Sequence, residues 1–341
     1  MHILSAPARR SAVALTAVFA LAACAQGTQG SAPTPLVAQG RVASESRPPA
    51  KVVHNVWTAG TAMPTASLAA GAGAIGSTVY VVGGVNGNGV LGLNQIYDTT
   101  TKSWSSGTPM LTPRWAFATA VVNGIMYAIG GQTSAGVVTD IVEAYDPQSG
   151  AWSTLTPMPT ARNSVEATVY NGIIYVIGGY AGTRLATVES YNPVTNAWTT
   201  EAPLEVAKSS PGVGTIGAEI YVASGLANAG GTTDNEKYAA KKNTWKTGAP
   251  APIVQNAACA SVVKGHLYMA GGADANGNPL ATLESYDPKP SKSALAVLPQ
   301  AQIGAAGATV DNVLYCFGGA NNGYPFGTGA TFYNNVQVYT P

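Results

Sequence analysis

The sequence predicts an all-β fold assembled from six copies of one four-stranded unit. Three observations carry that expectation: a glycine-rich, charge-poor composition, a Gly pair that recurs at near-constant spacing, and aromatic residues at fixed offsets from each pair. The 341 residues include 40 Gly and 22 Pro but only 17 Lys+Arg and 16 Asp+Glu. Average chains are roughly 7% Gly and roughly 25% charged, so this composition suits many tight turns between short buried strands. The formal net charge of +1 excludes a broad nucleic-acid surface, which needs clustered Lys and Arg to displace counterions from phosphate. Hydrophobic content of 46% excludes a wholly disordered chain, and three Cys are too few for a disulfide scaffold.

The N-terminal residues 1–23 read as a signal peptide. His2, Arg9 and Arg10 precede an uncharged run from Ser11 to Ala23, which is too short to span ~30 Å of hydrocarbon as a helix. The tetrapeptide Leu21-Ala22-Ala23-Cys24 resembles the bacterial lipobox, and that resemblance implies lipidation of Cys24. Arg9-Arg10 also resembles a twin-arginine signal, but Ala8 and Ser11-Ala12 depart from that consensus. Residues 24–50, rich in Gly, Ser, Pro, Thr and Gln, read as a flexible tether. A linker of this composition and length reaches ~28 Å. Ala25, where Asp would favour inner-membrane retention, implies by the same resemblance a bacterial outer-membrane location, facing periplasm or exterior.

Residues 51–341 hold the repeats. Gly pairs stand at 83/84, 130/131, 178/179, 271/272 and 318/319, with Ser224-Gly225 as the variant between the third and fourth. A Tyr precedes each by three residues (Tyr80, Tyr127, Tyr175, Tyr221, Tyr268, Tyr315), and a second follows it (Tyr97, Tyr145, Tyr191, Tyr238, Tyr286, Tyr339). Trp57, Trp104, Trp152, Trp198 and Trp245 lie 26 residues before the next pair; the same count back from Gly318 reaches Lys292, so the fifth outer strand is expected to pack least well. Each unit then reads as strands a, b, c and d: a small-residue run, an apolar run ending at the Gly pair, a Tyr-bearing run and a Trp-bearing run. Asn123-Gly124 and Asn171-Gly172 supply the positive φ angles of type I′ turns between a and b.

A Gly pair followed by spaced Tyr and Trp resembles the kelch repeat, over about residues 51–341. The resemblance implies a six-bladed β-propeller with four antiparallel strands per blade. The last repeat ends at Tyr339 without a Trp strand, while the segment ending at Trp57 precedes any Gly pair. The N-terminal strand is therefore expected to complete the last blade and close the ring, protecting both edges.

Residue types repeated in every unit serve the architecture. Glu143, Glu189, Glu236 and Glu284, two residues before a repeat Tyr, are expected to be structural, with Gln95 and Gln337 at the remaining two places. Candidate site residues come from positions that vary. Sixteen residues before each Gly pair stand Ser67, Arg114, Arg162, Lys208, Gln255 and Gln302, at the start of strand a and the mouth of the axis. The three adjacent cations form a basic arc that is expected either to contact a ligand or to pair with local carboxylates or solvate the rim. Kelch adaptor domains carry Arg here to grip acidic partners, a role the resemblance implies for Arg114 and Arg162, whereas Lys208 lacks the bidentate fork. Trp115, Asn163, Tyr180 and Tyr324 add aromatic and amide groups on the same face. Such a set suits an acidic peptide or a carboxylate-bearing sugar.

Glu166 is an intruder in strand a, where the other repeats have Gly71, Ala118, Gly212, Cys259 and Ala306. It is expected either to pair with Arg114 or Arg162, or to act as a general acid/base. No cofactor or metal site is expected. Asp274-Ala275-Asn276-Gly277-Asn278 lacks the later residues of a calcium loop and reads as a turn, and Cys259 and Cys316 read as small packing residues, with a disulfide between them permitted in an oxidising envelope. The expectation is a monomeric, non-catalytic binding module for an extracytoplasmic protein or a small anionic or carbohydrate ligand, touching the membrane through its lipid alone. The alternative is a carbohydrate-active enzyme resembling periplasmic kelch mutarotases that act on sialic acid.

Overall fold

The computed structural model describes residues 54–286, 295–322 and 329–341, within one compact unit, Val52–Pro341. The signal segment, Cys24, the tether, Tyr324 and the expected fifth outer strand lie outside the described residues.

The described chain is all-β apart from one 3₁₀ turn, Ala240–Lys242. Its main sheets, taken in chain order with strands a to d, are as follows. The first contains Gly71–Ile75, Thr78–Val82, Asn94–Asp98 and Ser103–Gly107; the second, Ala118–Val122, Ile125–Ile129, Val142–Asp146 and Ala151–Thr154. The third contains Glu166–Tyr170, Ile173–Ile177, Val188–Asn192 and Ala197–Thr200; the fourth, Gly212–Ile216, Glu219–Ala223, Asn235–Ala239 and Thr244–Thr247. The fifth contains Cys259–Val263, His266–Ala270 and Leu283–Tyr286. In the sixth, Ala306–Val310, Val313–Phe317 and Val336–Thr340 are joined by the N-terminal strand Val56–Ala59, which sets Trp57 opposite Tyr339.

Strands b are near-continuous apolar runs because both of their faces are buried between neighbouring sheets. Strands a carry small residues and pack on one another in order, with that of the sixth sheet against that of the first. The tyrosines interlock the layers. Each strand-b Tyr meets the strand-c Tyr of the following sheet: Tyr80 with Tyr145, Tyr127 with Tyr191, Tyr175 with Tyr238, Tyr221 with Tyr286, Tyr268 with Tyr339, and Tyr315 with Tyr97. Outer tryptophans latch the rim, their indole N–H groups donating to the preceding sheet's chain: Trp104 to Thr61, Trp152 to Thr108, Trp198 to Thr156 and Trp245 to Ala202.

The Gly pairs exist because sheets approach closely at that point. Gly131 N–H donates to the Arg162 carbonyl at 2.9 Å, and a Cβ on Gly130, whose φ is +69°, would lie 2.6 Å from the same oxygen. Ser224 replaces the first Gly of the fourth pair, and its hydroxyl accepts the Gln255 N–H at 2.8 Å. Cys259 and Cys316 are disulfide-bonded, joining strand a of the fifth sheet to strand b of the sixth. The preferred reading of these thiols as packing residues is thereby corrected in favour of the bond left open beside it: adjacent strands bring their Cα atoms to 5.8 Å.

Candidate functional site at the axial mouth

Where each chain enters strand a, three consecutive residues do different work. The first, the position of the expected basic arc, turns into its own sheet. The second forms a backbone bridge to the residue after the Gly pair, as in Trp115 with Gln132, Asn163 with Tyr180 and Asn256 with Ala273. The third adopts the left-handed conformation in all six repeats, at Ala69, Ala116, Ser164, Ser210, Ala257 and Gly304. Positive φ is uncommon outside Gly, and here an inter-sheet hydrogen bond holds it. Ala116 N–H donates to Ala69, Ser164 to Ala116, Ser210 to Ser164, Ala257 to Ser210, Gly304 to Ala257, and Ala69 back to Gly304, at 2.7–3.0 Å.

The basic arc is not on the surface. Arg114 is fully buried, its Nη1 donating to Glu143 Oε2 at 2.8 Å and to the Thr112 carbonyl, its Nη2 to Ala128 and its Nε to Gly130. Arg162 repeats the arrangement with Glu189 and the Thr160 and Val176 carbonyls. Lys208, equally buried, meets Glu236 Oε1 at 3.0 Å and donates to the Asp234 carbonyl. Burial lowers the proton affinity of both guanidiniums, and the facing glutamate offsets that fall. These cations present no charge to a ligand because each neutralises a glutamate inside its sheet. Gln255 and Gln302 are also buried; Gln255 donates to the Met269 and Gly271 carbonyls. Glu143, Glu189 and Glu236, expected to be structural, are the partners, while Glu284, in the sheet that has Gln255 in place of a cation, has its proton affinity raised by burial.

Two cavities lie on the axis. The one at the mouth, about 280 Å³, is walled by Leu68, Trp115, Phe117, Leu226 and Ile303, with Glu166, Asn256, Asp274 and, from the ring of left-handed residues, Ser164 and Ser210 as its polar side chains. The second, about 420 Å³, runs between the inner strands and carries the hydroxyls of Thr119, Thr168, Thr215, Ser261 and Thr309. Thr168 bonds Thr215 at 2.9 Å and Thr309 donates to Ser261 at 2.8 Å.

Glu166 lines both cavities and so sits at their junction. Its neighbours across the inner strands are small, which leaves room for a carboxylate facing the axis. Pairing with Arg114 or Arg162 does not occur, because Glu143 and Glu189 hold those groups. Among the described residues the Glu166 carboxylate makes no hydrogen bond or ion pair. The side chain keeps part of its surface open to the cavity, yet withdrawal from bulk water pushes its carboxyl up to about 8.

Of the expected site residues, the axial cavities thus gather Trp115 and Glu166. Asn163 is buried and donates to Gln132 Oε1 at 2.7 Å, and Tyr180 carries the Arg184 guanidinium over its ring at 5.7 Å; neither lines an axial cavity. Residues the sequence reading missed include Asn256, Leu226 and Ile303. Asn256 and Ile303 stand one position after the sixteen-residue mark, a signal the repeat spacing contained. Asp274 accepts from the Asn276 and Asn278 N–H groups, which makes its loop a turn as expected.

The family model of the KLHDC2/KLHL20/DRC7 Kelch-repeats domain matches residues 50–213. No curated protein sequence matches the chain. The solved structure of YjhT is similar with a TM-score of 0.69 at 18% identity, covering 82% of this chain and 97% of that one. At that identity the likeness speaks for the fold. The Gly pair, the Tyr interlock and the Trp latch recur around stacked antiparallel sheets, and the chain is similar to kelch-repeat proteins in sequence over residues 50–213 and in fold over most of its length.

Proposed function

We propose that this protein is a lipid-anchored, six-bladed kelch propeller of the bacterial envelope that acts as a non-catalytic binding module and takes a small ligand at the axial mouth. The closed six-blade reading is supported by the return of the backbone belt from Ala69 to Gly304 and by Val56–Ala59 in the sheet of the C-terminal strand. The Cys259–Cys316 disulfide supports an oxidising compartment, in keeping with export and with Cys24 as the lipid site. The observation that carries the binding reading is the mouth cavity, concave and largely apolar with a few inward polar groups. An anionic ligand is not favoured, since the three expected cations are buried and paired.

The test is thermal denaturation of the mature full chain against panels of neutral sugars, acidic sugars and small amines. One class is expected to raise the melting temperature in the wild type and not in Trp115→Ala. No shift with any class overturns the reading.

A second reading rests on Glu166. A lone carboxyl held near neutrality inside a cavity is suited to proton transfer, as in an enzyme of the mutarotase kind. Sugar mutarotation followed by NMR should then be accelerated by the wild type and not by Glu166→Gln; no acceleration over solvent sinks this reading for the sugars tried.

A further inference from the structure

We infer that the mouth cavity is built for a small organic cation, an ammonium group on an apolar body, with Glu166 as its counter-ion. The inference rests on the reading of this cavity as the ligand site.

Charge at the axis has one sign. Of the described residues lining the two cavities, the ionisable side chains are Glu166 and Asp274, both acids. Asp274 is already engaged by the Asn276 and Asn278 amides and the Asn278 side chain. Glu166 is engaged by nothing described. An isolated carboxylate in a poorly hydrated cavity is costly until a positive charge or a proton meets it.

The backbone argues in the same direction. Anions are commonly held by free N–H groups at turns, and the left-handed residues around this mouth would supply six. All six donate to the neighbouring sheet instead, so the belt that holds the sheets together leaves no amide nest. The Asn256 side-chain amide donates to the Ala273 and Asp274 carbonyls. The remaining neutral polar side chains of the mouth are the hydroxyls of Ser164 and Ser210, so the unengaged charge is one carboxylate beside Trp115, Phe117, Leu68, Leu226 and Ile303, walls that suit an apolar body. A volume of about 280 Å³ restricts that body to a small molecule.

Below pH 8 the cation has to displace the Glu166 proton, so affinity should rise with pH and level off above it. The groups around Glu166 leave it as the group that titrates. The flanking inner strands, Ala118–Val122 and Gly212–Ile216, carry no ionisable residue. Strand b of its own sheet adds Tyr175, its own strand adds Tyr170, and Asp274 stands across the cavity. Arg114, Arg162 and Lys208 are held by their own glutamates.

The experiment is calorimetric or NMR titration of the mature full chain with three probes: benzyltrimethylammonium, its uncharged isostere neopentylbenzene, and phenylacetate. At pH 8 the cation should bind at least about tenfold more tightly than the isostere, and its affinity should fall up to about tenfold per unit as pH is lowered. Glu166→Gln should abolish the advantage and the pH dependence while leaving the isostere unchanged. Trp115→Ala should weaken cation and isostere alike, and melting curves establish that both variants fold. An isostere that binds as tightly as the cation, or a preference for phenylacetate, overturns the counter-ion while leaving the cavity as a binding site. Binding of none of the three overturns the cavity reading itself.

Discussion

Arg114 Nη1 lies 2.8 Å from Glu143 Oε2, and both side chains are buried within one sheet. A buried pair of this kind adds little over a well-packed apolar pair, but removing one member strands the other charge. Arg114→Ala is therefore expected to lower stability by about 3–5 kcal/mol, measured by urea denaturation, with no loss of affinity in the protein that remains folded. A joint Arg114→Met and Glu143→Leu replacement should recover most of that loss. A single replacement that leaves stability unchanged would contradict the burial of the pair.

Glycines of similar positive φ should differ in sensitivity according to what their Cβ would meet. Gly124, at +77°, faces open space, so Gly124→Ala should cost only the left-handed strain of ~1–2 kcal/mol. Gly130, at +69°, faces the Arg162 carbonyl at 2.6 Å. Gly130→Ala should cost distinctly more, because an inter-sheet hydrogen bond must also yield. Equal losses on denaturation would remove the close-approach explanation of the Gly pair.

The disulfide closes a separation of 57 residues. A loop of that length corresponds to ~4 kcal/mol in the chain-entropy account, so a Cys259→Ala, Cys316→Ala variant should melt well below the oxidised wild type. Reductant should lower the wild type toward the variant and leave the variant unmoved.

Glu166 binds its proton more tightly in the folded chain, where its carboxyl sits at about 8, than at its ordinary 4.5. Its contribution is fully present below 4.5 and is lost as pH rises through 8. Relative to Glu166→Gln, the wild-type melting temperature should fall across that window and level off above it. A pH-independent difference between the two would refute the raised proton affinity.

Cys24→Ser should release the protein from envelope membranes into the soluble fraction. Continued membrane association would contradict lipid anchoring at that residue.

The layered sheets were legible because their causes are local and repeated. Spaced Gly, Tyr and Trp specify turn, interlock and latch six times over, and a pattern that recurs averages out the ambiguity of any one segment. The candidate site was legible only in part. Glu166 stood out as a departure from the repeat and Trp115 as an aromatic beside the arc, whereas for Arg114, Arg162 and Lys208 the sequence left ligand contact and pairing with local carboxylates both open, and the structure has the pairs. A clue was present: Glu143, Glu189 and Glu236 occur in the repeats that carry those cations, while Gln95 and Gln337 accompany the uncharged Ser67 and Gln302. Position along a strand says where a residue enters the axis, not which way its side chain turns there.

Repeat spacing and turn chemistry were thus enough to derive four-stranded units in a fixed order, since each depends on contacts within a few dozen residues. The direction of the buried cations, the Cys259–Cys316 bond and the isolation of Glu166 depended on three-dimensional packing. Charge in a protein interior is settled by which partner lies within a few ångströms. Here that partner comes from another strand of the same sheet for Arg114, and for Glu166 no such partner stands among the described residues.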